Sequence, residues 1–597
     1  MREYSVPVLV DVPPSANLTD TVFQRAEQEP GAVALRRKTG DGWTAVTARE
    51  FRDQVVAVAK GLIAAGVEPG DRVALMSRTR YEWTVIDYAI WTAGAVSVPI
   101  YETSSADQVE WIVSDSGAKA VFVELESHEE TVREVLPKLD AVEHVWRIEG
   151  GALDELGAAG AGVPDETVTE RRTGRCIADL ATIVYTSGTT GLPKGCRLTH
   201  DNLLFTARNV AYGPLERLFT VENRSVLLFL PLAHVFARII QIVLIETGTA
   251  LGHTPNMKNV APDLQEFKPT FLLGVPRVFE KVYNGAEQKA VAGGKGKIFH
   301  AAAGTAIAWS RAESSGGAGL GLKLKHALFD KLVYGKLRAA TGGNLWAAIS
   351  GGSALGDRLG HFFRGVGIEV LEGWGLTETS APSTVNMPGA NKIGTVGKPF
   401  PGVSVAISGD GEILVKGRHV FKGYWNNEAA TAEAIDADGW FHTGDVGEID
   451  ADGYVRITGR KKEILVTAAG KNVAPAPMED RIRAHPLVSQ ALVVGDGRPF
   501  VAALVTLDPE ALEQWKAANG RAGATLAELS ADSAVIAEVQ KAVDDANRSV
   551  SKAEQIKKFT ILDIELSEET GHVTPKQSIK RNVVMRDFAR QIDALYG

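Results

Sequence analysis

The sequence has almost no cysteine: two residues, Cys176 and Cys196, in 597. That excludes a disulfide framework and any cysteine-rich zinc site, and it fits a reducing compartment. There is no excess of positive charge either. Lys and Arg number 64 against 73 Asp and Glu, for a net charge of −9. A protein whose main work is gripping a phosphate backbone is usually basic, so nucleic acid is not an expected partner. Long apolar runs are also missing. The most apolar stretch, 225–252, is broken by Pro231, His234, Arg238, Gln241 and Glu246, and no run approaches the roughly 18–20 residues that a membrane span needs. Residues 1–14 carry no apolar core of the kind a signal peptide requires. These absences predict a cytoplasmic protein without a transmembrane segment.

What is present is a globular composition, 45% hydrophobic and 23% charged. The chain is too long for one module at roughly 100–200 residues per domain. In the first half, short apolar runs at 72–77, 96–100 and 118–123 alternate with helical patterns at 81–93 and 106–116. Such alternation predicts crossover units and parallel-rich sheets flanked by helices, an α/β architecture. The Gly- and Ala-rich stretch 150–174 reads as a surface loop. Further on, four strands (180–185, 226–230, 270–273 and 368–371) each run into a loop dense in Gly, Ser, Thr or Pro. Ligands of open parallel sheets bind beyond the carboxyl ends of strands, so four such loops predict one shared crevice.

Residues 284–344 differ, with helix-like stretches at 302–312 and 322–339. The second sets Lys323, Lys325, Lys331, Lys336 and Arg338 beside Leu322, Leu324, Leu328 and Leu332. A basic amphipathic helix of this kind can lie peripherally on an anionic membrane. The plainer expectation is that the leucines face the core and the basic side is solvated. After Arg460 the texture changes to mixed strands and helices. This predicts a large N-terminal domain, 1–460, and a smaller α+β domain, 461–597.

The sharpest motif is Tyr185-Thr-Ser-Gly-Thr-Thr-Gly-Leu-Pro-Lys-Gly195, which follows a strand. Its glycines let backbone N–H groups turn toward an anion, its hydroxyls donate to phosphate oxygens, and Lys194 adds a point charge. It is not a Walker loop, because counting from Gly188 puts Pro193 where that pattern needs glycine. The loop resembles the signature of the adenylate-forming superfamily, which includes acyl-CoA synthetases, luciferases and peptide-synthetase adenylation domains. Further segments resemble the family's motifs in order: Leu230-Pro-Leu-Ala-His-Val235, Ser350-Gly-Gly-Ser-Ala-Leu355, Glu372-Gly-Trp-Gly-Leu-Thr-Glu378, Asp438-Gly-Trp-Phe-His-Thr-Gly-Asp445 and Gly459-Arg-Lys-Lys462.

The resemblance implies ATP bound by Thr186, Ser187, Gly188, Thr189, Thr190, Gly191 and Lys194, with adenine beside Gly352, Ser353, Ala354, Glu372, Gly373, Trp374 and Gly375. It implies ribose on Asp445 and Arg460, since a carboxylate can accept from both hydroxyls of a diol. A carboxylate near a triphosphate needs a cation between them, so Glu378 is expected to hold Mg2+, with Thr186 as its partner. Thr377 and His234 are expected near the reacting carboxylate and the thiol path. Lys462 is expected as a hinge, and Gly470 and Lys471 lie in a loop that resembles the region facing the site during thioester formation. A lysine near the end should bridge carboxylate and α-phosphate; Ser578 stands at its usual place in long-chain relatives, leaving Lys576 and Lys580 as the two candidates. Arg238 stands where some relatives carry an aromatic gate over the acyl tunnel.

The implied reaction joins a fatty acid to ATP, releases pyrophosphate, and passes the acyl group to coenzyme A. The segment Gly274-Val-Pro-Arg-Val-Phe-Glu280 and the long insert 284–344 resemble long-chain enzymes. Each buried methylene is worth about 0.8 kcal/mol, so a tunnel can select for length. An acyl-AMP ligase that ignores coenzyme A is the rival enzyme. Arg460-Lys-Lys-Glu-Ile-Leu465 continues without the insertion those relatives carry. A non-catalytic nucleotide or lipid binder is the rival from another class, and it predicts lost loop hydroxyls or a missing Glu378.

Overall fold

The computed structural model describes residues 2–40, 42–186, 192–567, 570–574 and 579–597. A six-stranded sheet runs in the order His144–Arg147, Ala118–Val123, Arg72–Met76, Val96–Ile100, Leu180–Thr186, Lys194–Thr199. All its pairings are parallel except the last. Strand Val96–Ile100 and helix Tyr81–Thr92 are buried along their whole length, as expected where helices cover both faces of a parallel sheet. A second sheet sets Phe271–Gly274, Ala347–Ser350 and Glu369–Leu376 parallel, then adds Ala381–Val385 and Lys398–Pro399 antiparallel. A four-stranded sheet joins Ser225–Leu228 and Ala250–His253 to the hairpin Val33–Thr39/Gly42–Thr47. A five-stranded antiparallel sheet ends with Phe441–Ile449 and Val455–Arg460. The α/β architecture with parallel-rich sheets is the one the alternating pattern predicts.

Past Arg460 the strands Val488–Val494, Val501–Leu507 and Ile556–Ile561 form a separate sheet, packed with helices Ala476–Arg483 and Ser533–Asn547. The buried apolar clusters do not cross this point: two hold residues between Val12 and Val455, and two hold residues between Leu465 and Leu595. Among the described residues, polar contacts join the two bodies. Arg277 pairs with Asp508 at 2.6 Å, and Arg358 donates to the Ala484 carbonyl at 3.1 Å.

Three sequence expectations are corrected. The supposed loop at 150–174 holds two helices, Ala152–Ala159 and Asp165–Thr173. Its glycines serve packing instead: a Cβ on Gly160 would overlap the backbone at Lys60 and Gly61, and one on Gly61 would overlap Leu156. The loop expected from residue 372 is strand as far as Leu376. That strand changes partner there, pairing parallel with Ala347–Ser350 and then antiparallel with Ala381–Val385, through a bulge at Trp374/Gly375. Finally, Leu324, Leu328 and Leu332 do not face the core; they are exposed. Their helix docks by His326, Phe329 and Tyr334 instead.

Candidate active site

Strand Leu180–Thr186 turns back into Lys194–Thr199, with Thr186 opposite Lys194. Of the phosphate-loop residues, Ser187, Gly188, Thr189, Thr190 and Gly191 lie outside the described residues, as does Lys576. The flanks of the loop meet the metal candidate. Glu378 sits on a short turn, Thr377–Thr379, at the end of the partner-changing strand. Its carboxylate accepts from the Tyr424 hydroxyl at 2.9 Å. The Lys194 ammonium lies 4.9 Å from the centre of the Tyr424 ring, and the buried Cys196 thiol is within hydrogen-bonding reach of both Thr186 and Glu378. Burial raises the Tyr424 hydroxyl well above its usual pKa, reinforced by the Glu378 charge, so it stays a donor.

The backbone around Glu378 is shaped for this corner. Ser380 and Ala381 both have positive φ, 55° and 76°, a conformation that costs a residue with a Cβ and is tolerated where the surroundings enforce it. Gly375 is required beside them, because a Cβ there would overlap the Ala381 carbonyl.

Hard cations take oxygen donors, and Mg2+ is usually held by one or two carboxylates plus substrate phosphates. A half-buried carboxylate and a hydroxyl converging on Cys196 fit that chemistry. Among the described residues no cluster of three or more metal-ligating side chains occurs, and Mg2+ with ATP does not need one.

Asp445 and Arg460 face each other across the pair Phe441–Ile449/Val455–Arg460. Asp445 is buried. Its Oδ1 is 3.0 Å from the Arg460 Nε, and its Oδ2 accepts from the Trp374 indole N–H at 2.8 Å. Trp374 therefore ties the Glu372–Glu378 motif edge-on to Asp445, the carboxylate expected at the ribose. Glu372 points inward. It accepts the Leu355 N–H at 2.9 Å and so holds the loop that carries exposed Gly352, Ser353 and Ala354. Burial pushes its pKa up to about 7, with Asp357 and Asp480 adding to the rise. Gly373 and Gly375 lie on the same strand.

His234 is the N-cap of helix Val235–Thr247, its Nδ1 accepting the Phe236 N–H at 3.1 Å. That bond leaves the proton on Nε2. The next turn packs Phe236 onto Gly351, which brings the histidine motif beside the adenine-side loop. Thr79 fastens the motif from the other side, donating to the Leu230 carbonyl at 2.6 Å and accepting the Leu232 N–H at 3.1 Å.

Arg238 is sealed in the interior. It is 1% exposed, pairs with Asp87 (Nε to Oδ2, 3.0 Å) and bonds Thr182 and Ser97. Trp83 and Trp91 lie under its guanidinium. It ties the His234 helix to the strand that delivers Thr186.

In the small body, Lys462 lies exposed on the turn Lys461–Glu463. Lys580 precedes helix Arg581–Asp587, whose Arg581 pairs with Glu479 at 2.7 Å. Gly470 and Lys471 are exposed, with Lys471 3.4 Å from Glu554. Two contributors escaped sequence reasoning. Tyr424 lies outside every motif and reaches Glu378 only because 423–425 threads along Lys194–Thr199. Asp480, on helix Ala476–Arg483, faces Glu372 from the small body.

The AMP-binding enzyme family matches residues 22–425, and the AMP-binding enzyme C-terminal domain matches 462–597. The chain is 51% identical over 602 residues to long-chain-fatty-acid–CoA ligase FadD15 of Mycobacterium tuberculosis, covering 100% of both chains. It is 31% identical to long-chain-fatty-acid–CoA ligase ACSBG2 of Xenopus laevis, over 96% of this chain and 83% of that one. Among solved structures, the anthranilate CoA ligase AuaEII in complex with anthranoyl-AMP superposes with a TM-score of 0.73 at 20% identity, covering 98% and 99% of the two chains. ATP-bound MatB from Rhodopseudomonas palustris gives 0.68 at 25%, covering 96% and 99%.

Proposed function

The chain belongs to the AMP-binding enzyme family, and from that premise we propose that it is a long-chain-fatty-acid–CoA ligase. It joins a fatty carboxylate to the α-phosphate of ATP, releases pyrophosphate, and lets the coenzyme A thiol displace AMP from the acyl-adenylate. The observation that carries this reading is the match to a long-chain ligase at 51% identity over the full length of both chains.

Both reactants of the first step are anions that repel in water, so the protein's task is to position them and neutralise charge. Lys194 brings positive charge to the phosphate loop. Glu378 and Thr186 would hold Mg2+, which neutralises the departing pyrophosphate when bound. Tyr424 keeps the Glu378 carboxylate oriented through its hydroxyl. Asp445, fixed by Trp374 and Arg460, accepts the ribose hydroxyls. Adenine lies along Gly352, Ser353 and Ala354, the loop that Glu372 holds from beneath. In this reading His234, whose Nδ1 is occupied by the Phe236 N–H, donates from Nε2 to the substrate carboxylate as its charge redistributes. In the second step the small domain, residues 461–597, turns about Lys462, exchanging the C-terminal lysine (Lys576 or Lys580) for the Gly470–Lys471 loop.

Incubation with ATP, Mg2+ and palmitate, with and without coenzyme A, tests this reading by mass of the products. Palmitoyl-CoA with AMP and pyrophosphate is the expected outcome. Adenylate that persists with coenzyme A present would make the chain an acyl-AMP ligase, and no acyl product at any chain length would end the enzymatic reading. Glu378→Gln is expected to lower kcat by about 10²–10³, the loss typical of one transition-state charge stabiliser.

A further inference from the structure

The helix Leu320–Phe329 and the π-helical turn Asp330–Tyr334 that continues it are built the wrong way round for a packed helix. The docked face is mostly polar or aromatic. His326 stacks on Trp309 at 4.5 Å and bonds the Gly365 carbonyl at 2.6 Å. Phe329 is buried, and Tyr334 donates to the Ala302 carbonyl at 2.7 Å. The leucines point outward. Leu320 is 76% exposed, Leu324 66%, Leu328 56% and Leu332 50%.

Their spacing of four makes one ridge. In a regular α-helix a four-residue step drifts about 40° past a full turn. The π turn, with more residues per turn, takes back drift at Leu332. Lys323 and Lys331 each come three residues after a ridge leucine and Lys325 one residue after another, so cations flank the ridge on both sides. Lys323, Lys325, Lys331 and Lys336 are all exposed, and among the described residues none of them makes an ion pair. The one acid of the segment, Asp330, is taken by Arg338 at 2.8 Å. In a chain of net charge −9 this is a local concentration of uncompensated positive charge.

An exposed leucine row flanked by unpaired lysines is complementary to an apolar layer beneath negative charge. We propose that the 320–336 ridge seats the protein on the surface of an anionic lipid bilayer, with the leucines entering the acyl boundary and the lysines at the headgroups. Among the described residues no helix is long and apolar enough to cross a membrane, so the contact is peripheral. The ridge helix packs on helix Gly296–Ser314 through the His326–Trp309 stack, and His326 bonds the Gly365 carbonyl at the end of helix Asp357–Val366.

Binding to vesicles tests this without turnover, so its outcome is independent of the ligase reading. The full chain is sedimented with vesicles of pure phosphatidylcholine and with vesicles containing about one-third phosphatidylglycerol. The expected result is binding to the anionic vesicles alone, weakened by salt. Leu324→Glu/Leu328→Glu should lower the partition coefficient by more than about tenfold, and Lys323→Ala/Lys331→Ala by about tenfold. Both variants should keep the wild-type unfolding midpoint. Wild-type protein that stays in the supernatant with both vesicles overturns the proposal, as does a leucine variant that binds like wild type. So does a vesicle-free dimer that the leucine variant splits, for then a second copy covers the ridge.

Discussion

Two groups of buried charge flank the crevice. Arg238 and Asp87 face each other beneath its floor, sign against sign, with Thr182, Ser97 and two tryptophans filling the remaining contacts. Across the seam between the two bodies, the charge of Asp480 acts on buried Glu372. Asp357 and Glu280 lie nearby, and Arg483 is the cation paired with Asp480. The first group is a matched pair sealed within one body. It fixes the His234 helix to the Thr186 strand, and nothing in the reaction requires it to open. In the second, burial raises both Glu372 and Asp480, so the group carries unfavourable charge once they ionise. A seam built this way holds two bodies together without locking them.

The largest effect is expected from breaking the floor. Arg238→Met strands Asp87 without its partner and should cost about 3–5 kcal/mol in denaturant unfolding. Arg238→Met/Asp87→Leu should recover most of that loss. A single variant of near wild-type stability would show that the pair fastens nothing.

Next comes the seam. The folded pKa of Glu372, about 7, lies above its ordinary value of 4.5. Below pH 4.5 the carboxyl is protonated in both states and has no effect. Between pH 4.5 and 7 the unfolded chain loses its proton first, so the fold loses stability as pH rises, and the penalty levels off above 7. Glu372→Gln should therefore be more stable than wild type by up to about 3 kcal/mol at pH 8 and equal to it at pH 4. Equal melting curves at pH 8 would deny the strain. Asp480, raised to about 6 by burial against the pull of Arg483, should act in the same direction over a slightly lower range.

Trp374→Phe keeps the ring and removes one hydrogen bond to a carboxylate, a loss of about 1.5–3 kcal/mol. It should appear as a raised KM for ATP with the fatty-acid KM unchanged. A change confined to the fatty acid would place the indole elsewhere in the reaction. Smallest is Arg277→Ala, which removes the half-exposed pair with Asp508. Global stability should fall by less than about 1 kcal/mol, while amide exchange in Ala476–Arg483 quickens as the seam loosens.

The same division separates what could be read from the sequence. Thr186, Lys194, Glu378, Asp445 and Arg460 stand in short local motifs that resemble the family's, and the fold brings Thr186 and Lys194 toward Glu378 and Asp445 to Arg460. Tyr424 carries no such mark. Its hydroxyl matters only because a remote segment runs beside Lys194–Thr199. The helices at 152–173 were hidden by glycines that suggest a loop yet serve close packing around Gly61 and Gly160. The leucine ridge was hidden for another reason. An amphipathic pattern states that a helix has two faces; which face docks is decided by the surface it meets, here the Gly365 carbonyl, Trp309 and the Ala302 carbonyl. Asp480 belongs to the same class, since its neighbour Glu372 lies in the other body.

One carboxylate has a consequence beyond its own site. Asp445 is shared by Trp374 on the nucleotide side and by Arg460 on the other, and Arg460 stands two residues before Lys462. Under the proposed function, a sugar arriving at that acid would share it with the last arginine before the chain enters the second body. If the proposed ribose site and hinge hold, occupancy of that acid is passed through Arg460 to the segment where the proposed pivot begins.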